Sequence, residues 1–177
     1  MTLGFSVEIE GSYTYFPEKI LSAARDLVSP RHFDKYYRDA MHTNYNDKYR
    51  FSNDVFVLAD PKLHSIRDDV NDLWQPGNLI HPVIYNRSKR RLQFAPTLVC
   101  VSTQKIEIFH NDYSIEVYID EKMIGKMYWW GDIKNPKFYG EIEKLAKNDG
   151  FKGPKEFFQY FNTNYTGKLI HWTDLKY

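Results

Sequence analysis

Lys62-Leu63-His64-Ser65-Ile66-Arg67 gathers two cations, an imidazole and a hydroxyl shortly before the turn sequence Trp74-Gln75-Pro76-Gly77-Asn78. Cations and a hydroxyl at this density can hold phosphate or base edges, because hydrogen bonds to charged groups are the strong ones. On an extended chain Lys62, His64 and Ile66 share one face, and Leu63, Ser65 and Arg67 share the other. A bend would bring Lys62 and Ser65 together. Spacing alone leaves a plainer reading open, in which Lys62 and Arg67 are solvated or paired with Asp68 and Asp69 while Ser65 satisfies a turn.

A second cluster is the basic run Arg87-Ser88-Lys89-Arg90-Arg91. Arg87, Lys89, Arg90 and Arg91 suit RNA phosphates, or they form a solvated turn between strands. Tyr113, Tyr118, Tyr128, Trp129 and Trp130 offer rings for base stacking, or they are the core of a hairpin. Trp129 and Trp130 must point to opposite faces, so Trp129 is taken as the ligand-binding candidate of the pair. The 6 histidines are dispersed, with no His-Glu-x-x-His pair. No metal and no cofactor is expected. His64 is a cleft candidate, with a simple polar strand position as its alternative.

The elements that must place these groups can be read from periodicity. Residues 3–9 alternate like a half-buried strand, and Pro17 opens a helix carrying Ile20, Leu21, Ala24, Leu27 and Val28. Residues 29–54 lack clean periodicity and read as an irregular or partly helical surface excursion, either a lid or an insertion packed by its own tyrosines. Residues 79–85 and 97–109 read as strands, and residues 113–119 pair with 123–130 as a hairpin. Phe138, Ile142, Leu145 and Ala146 mark a helix ending near Gly150, residues 154–161 a second short helix, and residues 169–172 a closing strand. About six strands and three helices follow, too scattered for a βαβ series.

Composition sets the frame. The 177 residues suit one domain, 42% are hydrophobic and 17% aromatic, and the net charge is +1, so nucleic-acid contact must come from local patches. The single cysteine, Cys100, excludes an internal disulfide and reads as a buried apolar residue. No apolar run approaches the roughly 20 residues of a membrane span, and the early acid Glu8 argues against a signal peptide. The expected setting is cytoplasmic, with no membrane partner.

Lys62-x-x-Ser65-x-Arg67, the Gly77 turn and Glu143-Lys144-Leu145-Ala146-Lys147-Asn148-Asp149-Gly150-Phe151 together resemble the ASCH family of the PUA-like superfamily, over residues 55–172. The resemblance implies an α+β fold, an open β-barrel of about six strands with flanking helices, and a cleft at the motif suited to nucleobases, RNA or modified nucleosides. Some small members are amidohydrolases that deacylate acetylated cytidine with Lys, Thr and Glu. Those residues fall here at Lys62, Ser65 and Asp149, two of them replaced by a similar residue. In that mechanism Ser65 attacks the acyl carbon, neutral Lys62 takes its proton, and Asp149, shorter than Glu by about 1.5 Å, protonates the departing amine. Arg67 is the cation beside the lysine.

The expectation that follows is a module binding RNA or a nucleoside or nucleotide through a Lys62, Ser65, Arg67 and Asp149 cleft. The alternatives are deacylation of an N-acylated cytidine, a metal-independent ribonuclease using Lys62, Arg67 and a histidine, and a protein interaction module.

Overall fold

The computed structural model describes residues 1–45, 49–129 and 135–177. Among the described residues the chain is mixed α+β, with 12 strands and 5 helices in place of the expected six and three. The strands form separate sheets that do not close into a barrel.

The small sheet is built on β5 (Leu79–Ile84). It runs parallel to β1 (Thr2–Phe5) and antiparallel to β6 (Leu92–Gln93) and β7 (Leu98–Val99). Its residues Ile80 and Pro82 to Ile84 are buried, as suits a strand with a parallel partner, and Pro82, which cannot donate to a ladder, still accepts from Phe94 N–H at 3.3 Å. The chain then passes through buried Cys100 into β8 (Ser102–His110), a member of the large sheet.

The large sheet is antiparallel. It includes β9 (Ser114–Ile119) and β10 (Lys122–Tyr128), joined by Asp120 and Glu121 at φ 48 and 68, a two-residue turn matched to strand twist. β11 (Lys137–Gly140) lies outside β10, and β12 (Tyr165–His171) sits between β8 and β4 (His64–Arg67). Alternation along β8 is regular, with Ile106 and Ile108 fully buried. The third sheet is an isolated hairpin, β2 (Glu8–Ile9) with β3 (Ser12–Tyr13).

Two cores result. α1 (Phe16–Ala24) packs Ile20, Leu21 and Ala24 against the small sheet. α4 (Ile142–Asn148) and α5 (Pro154–Tyr160) cover the large sheet with Leu145, Ala146, Phe157 and Phe158. The described residues of 29–54 are more ordered than their sequence suggests. α2 (Pro30–His42) is a regular helix, and α3 (Asn53–Leu58) is capped by Ser52, which accepts from Val55 N–H at 3.3 Å. Tyr45 and Tyr49 of this segment are buried in the first core, and the buried carboxylate of Glu18 accepts from Tyr49 O–H and, at 2.8 Å, from Ser52 N–H. The tyrosines therefore pack the segment into the body of the molecule. Phe138, expected in the helix, lies instead in β11.

Candidate functional site

Lys62 lies two residues before β4, where the chain crosses between the two cores. Its backbone is held on three sides: Lys62 N–H donates to Lys19 O at 3.1 Å, Leu63 N–H to Asn148 O at 2.8 Å, and Trp172 Nε1 to Lys62 O at 3.2 Å. The side chain is 2% exposed, and its ammonium sits over the rings of Phe16 at 4.8 Å and Phe5 at 5.9 Å.

Asp149 comes from the end of α4, 87 residues later in the chain. Gly150 at φ 89 reverses the backbone there, with Phe151 N–H bonded to Ala146 O at 3.0 Å and Gly150 N–H to Lys147 O at 2.8 Å. This paired closure satisfies the last carbonyls of the helix. A Cβ on Gly150 would meet Phe16 at 2.9 Å and the Lys62 side chain at 3.1 Å, so the turn and the lysine both demand glycine.

The carboxylate thus reaches Lys62 Nζ at 2.5 Å and accepts Ile66 N–H at 3.2 Å; Lys62 also donates to the Asp149 carbonyl. Complete burial pulls the Lys62 pKa down to about 8, against the opposing pull of Asp149. Burial would raise the Asp149 carboxyl, but the Lys62 charge and the His64 contact outweigh it and hold the group below the ordinary range. At pH 7 the pair is ionised, with a small neutral fraction of lysine.

Arg67 reaches the same side as Lys62. Its guanidinium lies 5.1 Å over Phe5 and donates to Gly4 O at 2.7 Å and Ile66 O at 3.0 Å. The strict alternation expected from Lys62 onward fails because Lys62 precedes the strand, and the bend there turns it toward Phe5 with Arg67. Lys62, Ile66, Arg67 and Asp149 line a cavity of about 210 Å³ whose walls include Phe16, Phe151 and Tyr160.

Behind Asp149 a second network closes the site. Asn148 Nδ2 donates to the Tyr177 hydroxyl at 2.8 Å, leaving that hydroxyl to donate to His64 Nε2 at 3.0 Å. The ring proton of neutral His64 then resides on Nδ1, 3.6 Å from Asp149 Oδ1. Burial keeps His64 neutral. His64 is 0% exposed and lies opposite His171 across the strands, with ring centroids 5.3 Å apart, so it supports Asp149 from behind and does not line the cavity.

The remaining candidates fall elsewhere. Ser65 is fully buried, its hydroxyl has no hydrogen-bond partner, and it does not line the cavity. The structure unites Lys62 and Asp149 but does not bring Ser65 to either. Arg87 borders an open groove of about 540 Å³ that shares Gly4 and Ser6 with the cavity. Arg90 is spent on its own chain, donating to Tyr45 O at 3.1 Å and stacking 5.1 Å over Tyr85, while Arg91 donates to Thr2 Oγ1 at 3.0 Å. Lys89 is exposed. Trp129 packs against the second core and is not among the cavity walls. Trp130 lies outside the described residues, as do residues 46–48 of the 29–54 excursion. No described residue of that excursion lines the cavity.

Sequence reasoning missed the aromatic walls and Tyr177. The walls come from segments that are ordinary in sequence, and Tyr177 gave no signal at all. Among the described residues no group of three or more His, Cys, Asp or Glu is placed to hold a metal ion, and no helix is long and apolar enough to cross a membrane. Compared with known proteins, the chain matches no family model, no curated protein and no solved structure.

Proposed function

We propose that the chain is a nucleoside-recognising module of the ASCH type, its two main sheets being that family's counterpart of an open PUA-like barrel. One observation carries this reading. Lys62 and Asp149, distant in sequence, meet as a buried ion pair that lines a cavity with Arg67 beside them and aromatic rings around them. A nucleobase needs this mixture: an acceptor for its ring or exocyclic N–H groups, donors for its carbonyls, and apolar faces against its ring. Asp149 is the acceptor, Arg67 and Lys62 are the donors, and Phe16, Phe151 and Tyr160 supply the faces. Ribonucleic acid is the favoured source of the base, with Arg87 on the adjoining groove as a phosphate contact.

Deacylation is the weaker reading. A lysine with a pKa near 8 is a serviceable base, but it has no hydroxyl from Ser65 within hydrogen-bond reach. Cleavage of RNA is weaker again, since His64 stands behind Asp149 and away from the cavity.

Calorimetric titration of the four common ribonucleosides and N4-acetylcytidine tests the binding reading. At least one should bind, and Arg67→Ala should weaken it by about tenfold, the value of a charge-assisted hydrogen bond. Absence of binding by every nucleoside at millimolar concentration would reject it. Chromatography of the N4-acetylcytidine sample detects any released cytidine, which only the hydrolytic alternative produces.

A further inference from the structure

Next to the Lys62 cavity lies a second one of about 270 Å³, lined by Tyr13, Tyr15, Lys19, Lys152 and Glu156 among others. Ile9, Phe16, Phe151 and Tyr160 border both chambers, so they meet along a common edge. Sites for drug-sized ligands run roughly 300–1,000 Å³. Neither chamber reaches that range alone, at about 210 and 270 Å³, and the two joined fall inside it. A ligand that fills the cleft is therefore longer than one base.

The walls of the outer chamber indicate what the second half of that ligand is. Tyr13 is a rigid platform: its ring stacks on Tyr49 at 4.9 Å, which stacks on buried Tyr45 at 5.2 Å. Tyr15 stands edge-on to Tyr13 at 6.3 Å, and across the chamber Tyr160 rests on Phe151 at 5.5 Å while staying 48% exposed. Lys19 gives one hydrogen to Gly150 O at 2.6 Å and keeps two for another acceptor. Two lysines face two carboxylates, Glu10 and Glu156, so attraction for anions is modest and ring stacking is the main attraction offered. Glu156 is already engaged by Lys152 N–H at 2.5 Å.

The roof over both chambers is the hairpin of β2 and β3. It has only two residue pairs, Glu8 with Tyr13 and Ile9 with Ser12, and no third strand. Hairpins of this size hold little stability of their own, but the Tyr13–Tyr49 stack and the bonds from Thr14 N–H to Val7 O at 3.0 Å and from Thr14 Oγ1 to Ser6 O at 2.7 Å hold this one as a fixed wall of the cleft.

We propose that the outer chamber is a second base subsite, so that the cleft takes two successive nucleotides of a single strand. The second ring lies between Tyr13, Tyr15 and Tyr160, and the linking phosphate comes nearest Lys19. Stacking platforms with a few cations are how single strands are held without sequence preference. The inference rests on the nucleoside reading of the inner chamber.

The test compares each ribonucleoside, and N4-acetylcytidine, with the same nucleoside carrying a 3′-linked uridine nucleotide, by calorimetry on the intact chain. The dinucleotide should bind roughly five- to 150-fold tighter, the range of a single base–aromatic stack. Tyr15→Leu should return the dinucleotide to the nucleoside's affinity while leaving the nucleoside unchanged. Lys152→Ala, at an exposed position that cannot unfold the chain, should weaken the dinucleotide alone by a few-fold. Far-ultraviolet circular dichroism and a cooperative urea transition verify that each variant is folded. Equal affinity of nucleoside and dinucleotide, or equal loss of both in Tyr15→Leu, would overturn the second subsite and leave the inner one standing. Failure of every nucleoside and every dinucleotide to bind would remove both.

Discussion

Lys62 without Asp149 would be an almost fully buried ammonium with no counter-charge, and Asp149 without Lys62 a carboxylate in the same position. Breaking a buried pair by removing one partner costs about 3–5 kcal/mol, far more than the pair contributes relative to an apolar replacement of equal size. Lys62→Ala and Asp149→Ala should each lower unfolding free energy by about that amount, measured by urea denaturation. The double variant Lys62→Met/Asp149→Leu should recover most of the loss, because neither charge is left alone. Losses under about 1 kcal/mol in both single variants would mean that water reaches the pair. Such recovery would also separate fold from function: a stable double variant that binds no nucleoside would show that the pair is retained for its ligand.

At the scale of elements the site depends on how α4 ends. Gly150 is needed both for its positive φ and for the closeness of Phe16, whereas Gly11, at φ 76 in the β2–β3 turn, has open space around it. Gly11→Ala should therefore cost only the strain of a left-handed residue, about 1–2 kcal/mol, and Gly150→Ala distinctly more. Thermal melts of the two variants side by side would show it; equal shifts would mean that Phe16 and Lys62 yield without cost. This turn was also the most legible part of the sequence, because a helix that stops at Asp-Gly-aromatic is a local signal. Lys62 to Arg67 was legible as a polar cluster, and its meeting with Asp149 only through family resemblance. The rest depended on tertiary contacts. Val55-Phe56-Val57-Leu58, an apolar run too short to separate strand from helix by periodicity, falls in the short helix α3, whose cap at Ser52 is tied to buried Glu18. Ser65 reads as a nucleophile only through the family resemblance, and no sequence pattern reports that its hydroxyl is buried without a partner. Arg90 looked like a phosphate ligand because nothing nearby in sequence predicts its bond to Tyr45 O. The hairpin roof and the tail residue Tyr177 left no periodic trace.

For the molecule as a whole, the row Ser102, His171, His64 across three neighbouring strands makes stability depend on pH. His171 is fully buried with both ring nitrogens unpartnered, and burial, helped by His64 and Lys176, lowers its pKa to about 3. An unfolded histidine titrates near 6.5. Between those values the unfolded chain carries the extra proton, so stability is full above about pH 6.5 and declines as pH falls toward 3. His64 adds to the loss in the same direction. By pH 5 the His171 contribution amounts to about 2 kcal/mol, and His171→Gln should flatten the profile; urea midpoints at pH 5, 6 and 7 measure both. A midpoint that does not move over this range would show that the rings are solvated. The three parallel-faced tyrosines, Tyr13, Tyr49 and Tyr45, carry a different consequence. Their transition dipoles are close enough to couple, and the outermost ring is a wall of the outer chamber. The protein therefore contains its own optical reporter: a base settling on Tyr13 perturbs the outer ring of a coupled stack, so the near-ultraviolet dichroism of the complex departs from the sum of its parts and occupancy can be followed without a label.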